Sequence, residues 1–174
     1  KIARELQNEI DKKSQNNNSS NTHYDVDIDD LMKQKWKVSL SPSNKASIAL
    51  LITTDSGKNN LLLGDADIDV VIESLRALGY DEKHKLQCDV VKLAHHGSKN
   101  NFKDDFLDIV TANKFIVSTN GTFFGHPDKE VIAQLLIKTK SSILFNYKSV
   151  MDRLFTENDK RKYPDILYRC KFIS

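Results

Sequence analysis

The run Val90-Val91-Lys92-Leu93-Ala94 reads as a buried strand that stops at two adjacent imidazoles, His95 and His96, followed by Gly97 and Ser98. Such a pair suits metal binding or proton transfer, because the strand holds the backbone rigid while the loop after it leaves the rings open to substrate. Two more loops end in groups of the same kind: Gly64-Asp65-Ala66 and Asn120-Gly121-Thr122-Phe123-Phe124-Gly125-His126-Pro127. A carboxylate with small neighbours, as at Asp65, together with imidazoles is a donor set for Zn²⁺, Mn²⁺ or Fe. Ca²⁺ and Mg²⁺ favour oxygen ligands throughout.

Successive side chains of a strand point to opposite faces, so in an extended chain only one of His95 and His96 faces a metal held by Asp65. His96 is the favoured ligand, with His95 nearer the substrate, and the choice between them stays open. His126 stands just before a helix whose first turn begins at Pro127. The positive end of that helix keeps the ring neutral, ready to bind metal or to donate to a phosphate oxygen. Asn120 and Gly121 offer an amide and open backbone to the same anion. His23 and His84 lie among polar residues and read as surface groups.

Bringing these loops together takes strands that end on one rim of one sheet. Residues 36–40 alternate like a half-buried strand, and Ser41-Pro42-Ser43-Asn44 breaks it. Residues 46–54 and 59–63 read as strands joined by the turn Asp55-Ser56-Gly57-Lys58. A helix carrying Ile68, Val71, Ile72, Leu75 and Leu78 runs to Gly79. The alternation continues with a strand at 88–94, a helix at 104–112 with Phe106, Ile109 and Val110 inward, and a strand at 114–118. A helix opened by Pro127-Asp128 carries Val131, Ile132, Leu135 and Leu136, then strands follow at 142–147 and, at an edge, 166–173. This order predicts an α/β (α+β layered) domain with helices packed on a mixed sheet over residues 36–174. Ahead of it, residues 1–35 read as an amphipathic helix at 1–13, a Ser/Asn/Gln linker at 14–21 and an acidic helix start at 25–30, which lacks the glycine and glutamate of a calcium loop.

A chain of 174 residues is enough for one domain that buries roughly two thirds of its unfolded surface. The net charge of +2 neither demands nor excludes a polyanion, although Lys138, Lys140, Lys148, Arg153, Lys160, Arg161 and Lys162 crowd the last quarter. Such a run forms either a solvated face or a surface that tracks phosphates. Cys88 and Cys170 are far apart in no metal-like spacing and read as reduced core thiols, which fits a cytoplasmic setting. No run has the length of a membrane span and no signal peptide opens the chain. The first residue, Lys1, makes a fragment of a longer protein the expectation.

Taken together, Gly64-Asp65-Ala66, His95-His96-Gly97-Ser98 and Gly125-His126-Pro127, in this order after a hairpin, resemble the second half of a metallo-β-lactamase-fold hydrolase. The nearest branch is the hydrolase domain of bacterial competence DNA-uptake proteins. The resemblance covers roughly residues 36–147, with Asn44 and Ser47 in the segment before the hairpin. It implies half of an αβ/βα sandwich with helices on the outer face and a metal site on one rim. In that family the aspartate matching Asp65 bridges two metal ions and a histidine of the pair matching His95 and His96 completes one of them. The catalytic set implied is Asp65, His95 and His126, with Ser98, Asn120, Gly121 and His126 toward the substrate. Two Zn²⁺ ions (or Mn²⁺ or Fe) would activate a water and clamp the attacked group. Phosphodiester hydrolysis, with nucleic acid as one candidate substrate, is the implied reaction. The family's His-x-His-x-Asp-His run is absent from this chain, and Thr22-His23-Tyr24-Asp25 does not replace it. Asp65, His95, His96 and His126 alone ligate at most one metal, so the resemblance implies an N-terminal half, on the same or a separate chain, that supplies the remaining ligands. The competing expectation is a degenerate, non-catalytic hydrolase fold that binds protein or nucleic acid.

Overall fold

In a computed structural model, which describes residues 24–34, 36, 46–122 and 124–173, the short apolar runs pair into one six-stranded sheet. Its spatial order is the order of the sequence. A short helix, α1 (Ile28–Met32), precedes it. β1 (Leu50–Thr53) and β2 (Asn59–Leu62) form an antiparallel hairpin, closed where the Gly57 amide donates to the Thr54 carbonyl. α2 (Ile68–Ala77) leads to β3 (Leu86–Lys92), and a single helical turn, α3 (Phe106–Ile109), runs directly into β4 (Val110–Val117). α4 (Lys129–Lys138) leads to β5 (Ser142–Phe145). Three short helices, α5 (Lys148–Arg153), α6 (Glu157–Lys162) and α7 (Ile166–Arg169), lead to the edge strand β6 (Cys170–Phe172). β2 to β6 are all parallel. The fold is therefore α/β with a mixed sheet and layered helices.

The strand order never reverses from β2 to β6, and parallel crossovers share one hand, so every connection lies on the same face of the sheet. Burial follows. Leu61, Val91, Phe115 and Ile143 stand side by side across β2 to β5 and are at most 2 % exposed. The adjacent row takes one residue from each strand, Leu50, Leu62, Lys92, Ile116, Leu144 and Lys171, and none of the six is buried. Toward the C-terminal strand ends, one face is thus packed under helices while the other carries half-exposed apolar side chains between lysines.

α4 is the centre of the helical layer. All its residues from Lys129 to Leu136 are buried, as a helix between a sheet and a further layer must be. The charge at Lys129 is compensated. Its ammonium meets Asp159 of α6 at 2.5 Å and donates to the carbonyls of Tyr24 at 3.1 Å and Val26 at 2.7 Å. Asp159 in turn accepts from the Ile28 amide and closes a capping box with Thr156. One buried ion pair thus ties residues 24–28, α4 and α6 together. At the other end of α4, Arg169 donates to the carbonyls of Leu135, Leu136 and Ser141, tying the last turn of the helix to the start of β5 through one guanidinium.

Several elements depart from the sequence reading. Residues 110–112 belong to β4 rather than to a helix, because Val110 and Ala112 pair in register with Leu86 and Cys88 and that pairing overrides a weak helical spacing. Leu78 is 66 % exposed, since α2 ends one residue before it. Pro127 lies just before the cap residue Asp128 and not in the first turn of α4. Residues 166–169 are helical, and strand begins only at Cys170. The expected helix at 1–13, the linker at 14–21, His23, and residues 37–45 with Asn44 lie outside the described residues. Among those described, no helix is long and apolar enough to cross a membrane.

Candidate functional site

Because β2, β3 and β4 are parallel neighbours, the loops that follow them leave the sheet on one rim, where open α/β sheets bind ligands. The Gly64-Asp65-Ala66 loop follows β2, the two histidines follow β3 and the His126 loop follows β4. Backbone bonds stitch them together. The His95 amide donates to the Gly64 carbonyl at 2.8 Å, and the Asp128 amide to the Gly97 carbonyl at 3.0 Å. Gly97 has φ +89°, and a Cβ there would stand 2.9 Å from the Cβ of Pro127. Only glycine lets these two loops approach so closely.

β3 ends at Lys92, before the histidines, so strand alternation does not govern them. His95 (φ 41°, ψ 47°) and His96 (φ 61°, ψ 18°) both adopt the left-handed conformation. Each costs about 1–3 kcal/mol and persists only where its surroundings over-determine it, a pattern that clusters at functional sites. The surroundings here are specific. Nδ1 of His96 meets the Ser118 carbonyl at 2.5 Å. A carbonyl can only accept, so that nitrogen bears the proton and, in the neutral ring, Nε2 carries a lone pair. Nδ1 of His95 meets Oδ1 of Asn101 at 3.3 Å, while Nδ2 of Asn101 donates to the carbonyls of Asp65 and Ala66. The two carbonyls fix the carboxamide, so His95 too bears its proton on Nδ1. An imidazole that donates Nδ1–H to a backbone carbonyl and keeps its lone pair on Nε2, as His96 does, is the arrangement of a metal-ligating histidine.

His126 lies beside them. Its ring centroid is 5.2 Å from that of His95, and its peptide bond to Pro127 is cis. Burial pushes its pKa down to about 4, with further lowering from His95 and His96 and an opposing effect of Asp65. The ring is therefore neutral at pH 7. Burial dominates this shift, not the helix end. Its buried Nδ1 has no hydrogen-bond partner among the described residues, and the Asp128 carboxylate stands 3.6 Å away, beyond hydrogen-bond reach. Tyr24 holds the loop from beneath, its hydroxyl contacting the carbonyls of Gly125 at 2.5 Å and Pro127 at 2.9 Å. Arg153 lies over the Tyr24 ring and approaches the Gly121 carbonyl, where any Cβ on Gly121 would overlap the guanidinium.

Asp65 is exposed, and its amide donates to Oγ of Ser47 at 3.0 Å. Ser98, expected to face substrate, is instead 2 % exposed and caps the following 3-10 turn by accepting from the Asn100 amide. The Gly121 amide, expected to be open to an anion, donates to Oγ1 of Thr119. Asn120 does line a cleft of about 370 Å³ beside His96 and His126, together with Phe124 and, after β5, Asn146 and Tyr147. Four of the clustered cations, Lys138, Lys148, Lys160 and Lys162, pair with Asp104, Asp152, Glu157 and Asp29, so most of that run is a solvated face with its charge neutralised.

No family model, no curated protein and no solved structure matches this chain. The site's own donor chemistry suits a borderline divalent cation such as Zn²⁺, with two imidazoles and a carboxylate on one rim. These donors are not gathered around one point. Among the described residues, no group of three or more His, Cys, Asp or Glu side chains is gathered to hold an ion, whereas a catalytic zinc takes three protein ligands. The sequence reading gave Asn101 and Tyr24 no role at the site and counted Arg153 only among the clustered cations. The only local signal was a second asparagine soon after the histidines, directly before the apolar Phe102.

Proposed function

We propose that this chain is the C-terminal half of a metal-dependent hydrolase of the metallo-β-lactamase type, acting on phosphodiesters. The observation that carries the reading is the shared tautomer of His95 and His96, each with Nδ1 engaged by an oxygen of the protein, next to an exposed Asp65 on the same rim. Asp65 and His96 are the metal donors and His95 is the second imidazole of the pair. A divalent cation held there would lower the pKa of a coordinated water enough for attack at neutral pH. His126, kept neutral by burial, offers a ring nitrogen to a phosphoryl or leaving-group oxygen. Asn120 adds an amide donor at the cleft.

The remaining donors come from a further segment or a second chain, the N-terminal half of the same fold. The apolar row Leu50, Leu62, Ile116 and Leu144 supports this, because a half-exposed sheet face of that kind is stabilised when a second layer covers it. The two buried free thiols, Cys88 and Cys170, suit a reducing compartment, which supports a cytoplasmic location.

A second reading, a non-catalytic hydrolase-like subunit that binds protein or nucleic acid, is supported by the finding that no three-donor group is gathered among the described residues. Metal analysis of the protein purified with its partner half separates the two. Stoichiometric zinc or manganese, lost in Asp65→Ala together with phosphodiester hydrolysis, supports the hydrolase. A complete assembly that holds no metal and hydrolyses no phosphodiester leaves the binding subunit.

A further inference from the structure

The cleft beside His96 and His126 carries more than phosphate chemistry. Phe124 packs its ring 6.0 Å from both His95 and His126, centroid to centroid, yet remains 59 % exposed. Tyr147, on the β5 side of the same cleft, is 45 % exposed. Exposed aromatic rings at a polar cleft serve as platforms on which flat ligands stack. Two carboxamides line the same space. Oδ1 of Asn120 accepts from the amide and hydroxyl of Thr122, and Oδ1 of Asn146 accepts from the Thr119 amide. Each oxygen is thereby committed to the protein, and each Nδ2 remains as a donor with no acceptor among the described residues. At about 370 Å³ the cleft is at the small end of ligand pockets, roughly 300–1,000 Å³.

From this arrangement we infer that the cleft is a subsite for one unpaired nucleobase of a single-stranded nucleic acid. The base stacks on Phe124 or Tyr147 and its ring carbonyls accept from Asn120 and Asn146. The inference rests on the proposed hydrolase reading, since it names the substrate of that same rim. A duplex does not fit, because its bases are stacked on each other and present no free face. A lipid or sugar phosphodiester has no planar ring to cover the aromatic pair.

Fluorescence anisotropy of the full chain in chelating buffer, at fixed salt, with a short thymidine strand and an abasic strand of equal length and charge, tests the subsite without requiring hydrolysis. The thymidine strand is expected to bind at least about tenfold tighter, and Phe124→Ala with Tyr147→Ala to abolish most of that ratio. Both side chains are exposed, so circular dichroism melts of the variants should match the wild type. Equal affinity for the two strands, absence of binding by either, or an unchanged ratio in the double variant overturns the inference. Hydrolysis in Mn²⁺ is scored separately. Cleavage without base discrimination rejects the subsite and keeps the hydrolase, while base discrimination without cleavage by the complete assembly keeps the subsite and rejects the hydrolase.

Discussion

Asn101 and His95 meet at 3.3 Å, carboxamide oxygen to Nδ1, and the same carboxamide donates through its nitrogen to the carbonyls of Asp65 and Ala66. One buried side chain, 1 % exposed, therefore holds two of the three loops in register and sets the proton on the imidazole.

Replacing Asn101 by alanine leaves two carbonyls and a ring nitrogen without this partner. The expected loss in urea unfolding is about 1–3 kcal/mol. ¹⁵N spectra of the variant should show His95 as a tautomer mixture while His96, held by Ser118, keeps its proton on Nδ1. An unchanged His95 spectrum would show that the carboxamide does not set the tautomer.

Gly97→Ala meets two penalties at once, a left-handed backbone and a contact of 2.9 Å with the Cβ of Pro127. The backbone term alone is roughly 1–2 kcal/mol. We expect a total above about 2 kcal/mol in chemical denaturation, with changed chemical shifts for His126. Ser98→Ala, which removes only a cap, should cost about 1 kcal/mol or less.

The pair of Lys129 and Asp159 is a buried stability element behind the His126 loop, with both side chains at most 1 % exposed. Lys129→Met strands a buried carboxylate and should cost about 3–5 kcal/mol. It should also release residues 24–28, visible as faster amide exchange at Ile28, whose N–H bonds to Asp159. A cost below 1 kcal/mol would mean that the carboxylate finds water or another cation.

His126 gives stability a defined dependence on pH. Its pKa falls from an ordinary 6.5 to about 4 in the folded chain, through burial first and then the neighbouring histidines, against the pull of Asp65. Below pH 6.5 the unfolded chain takes up a proton that the folded chain refuses. Stability is therefore full above about 6.5 and declines as the pH falls toward 4, by on the order of 3 kcal/mol in total. Unfolding curves of His126→Asn across that window should have a shallower slope than the wild type. Parallel curves would place the acid sensitivity elsewhere.

The convergence of the three loops was legible in the sequence because each motif follows an apolar run, and parallel runs share a rim. The division of labour between His95 and His96 was not. It assumed an extended chain, and both residues are left-handed, which no spacing announces. Ser98 looked exposed beside Gly97 but is buried as a cap. Residues 110–112 followed a helical spacing that pairing with β3 overrode. Tyr24 could not be found by local reading at all, because the carbonyls it supports lie about a hundred positions away. Local chemistry marks the loops, whereas the groups that hold them come from the tertiary fold.

The claim that this rim binds a metal through an oriented His96 is tested most directly by ¹⁵N-resolved histidine spectra of the full chain during a Zn²⁺ titration. The account predicts Nδ1–H tautomers for His95 and His96 before metal. Zn²⁺ should then shift Nε2 of His96 ahead of any nitrogen of the exposed His84, with a midpoint raised at least about tenfold in Asp65→Ala. A proton on Nε2 of His96, or a Zn²⁺ response no different from that of His84, would contradict it.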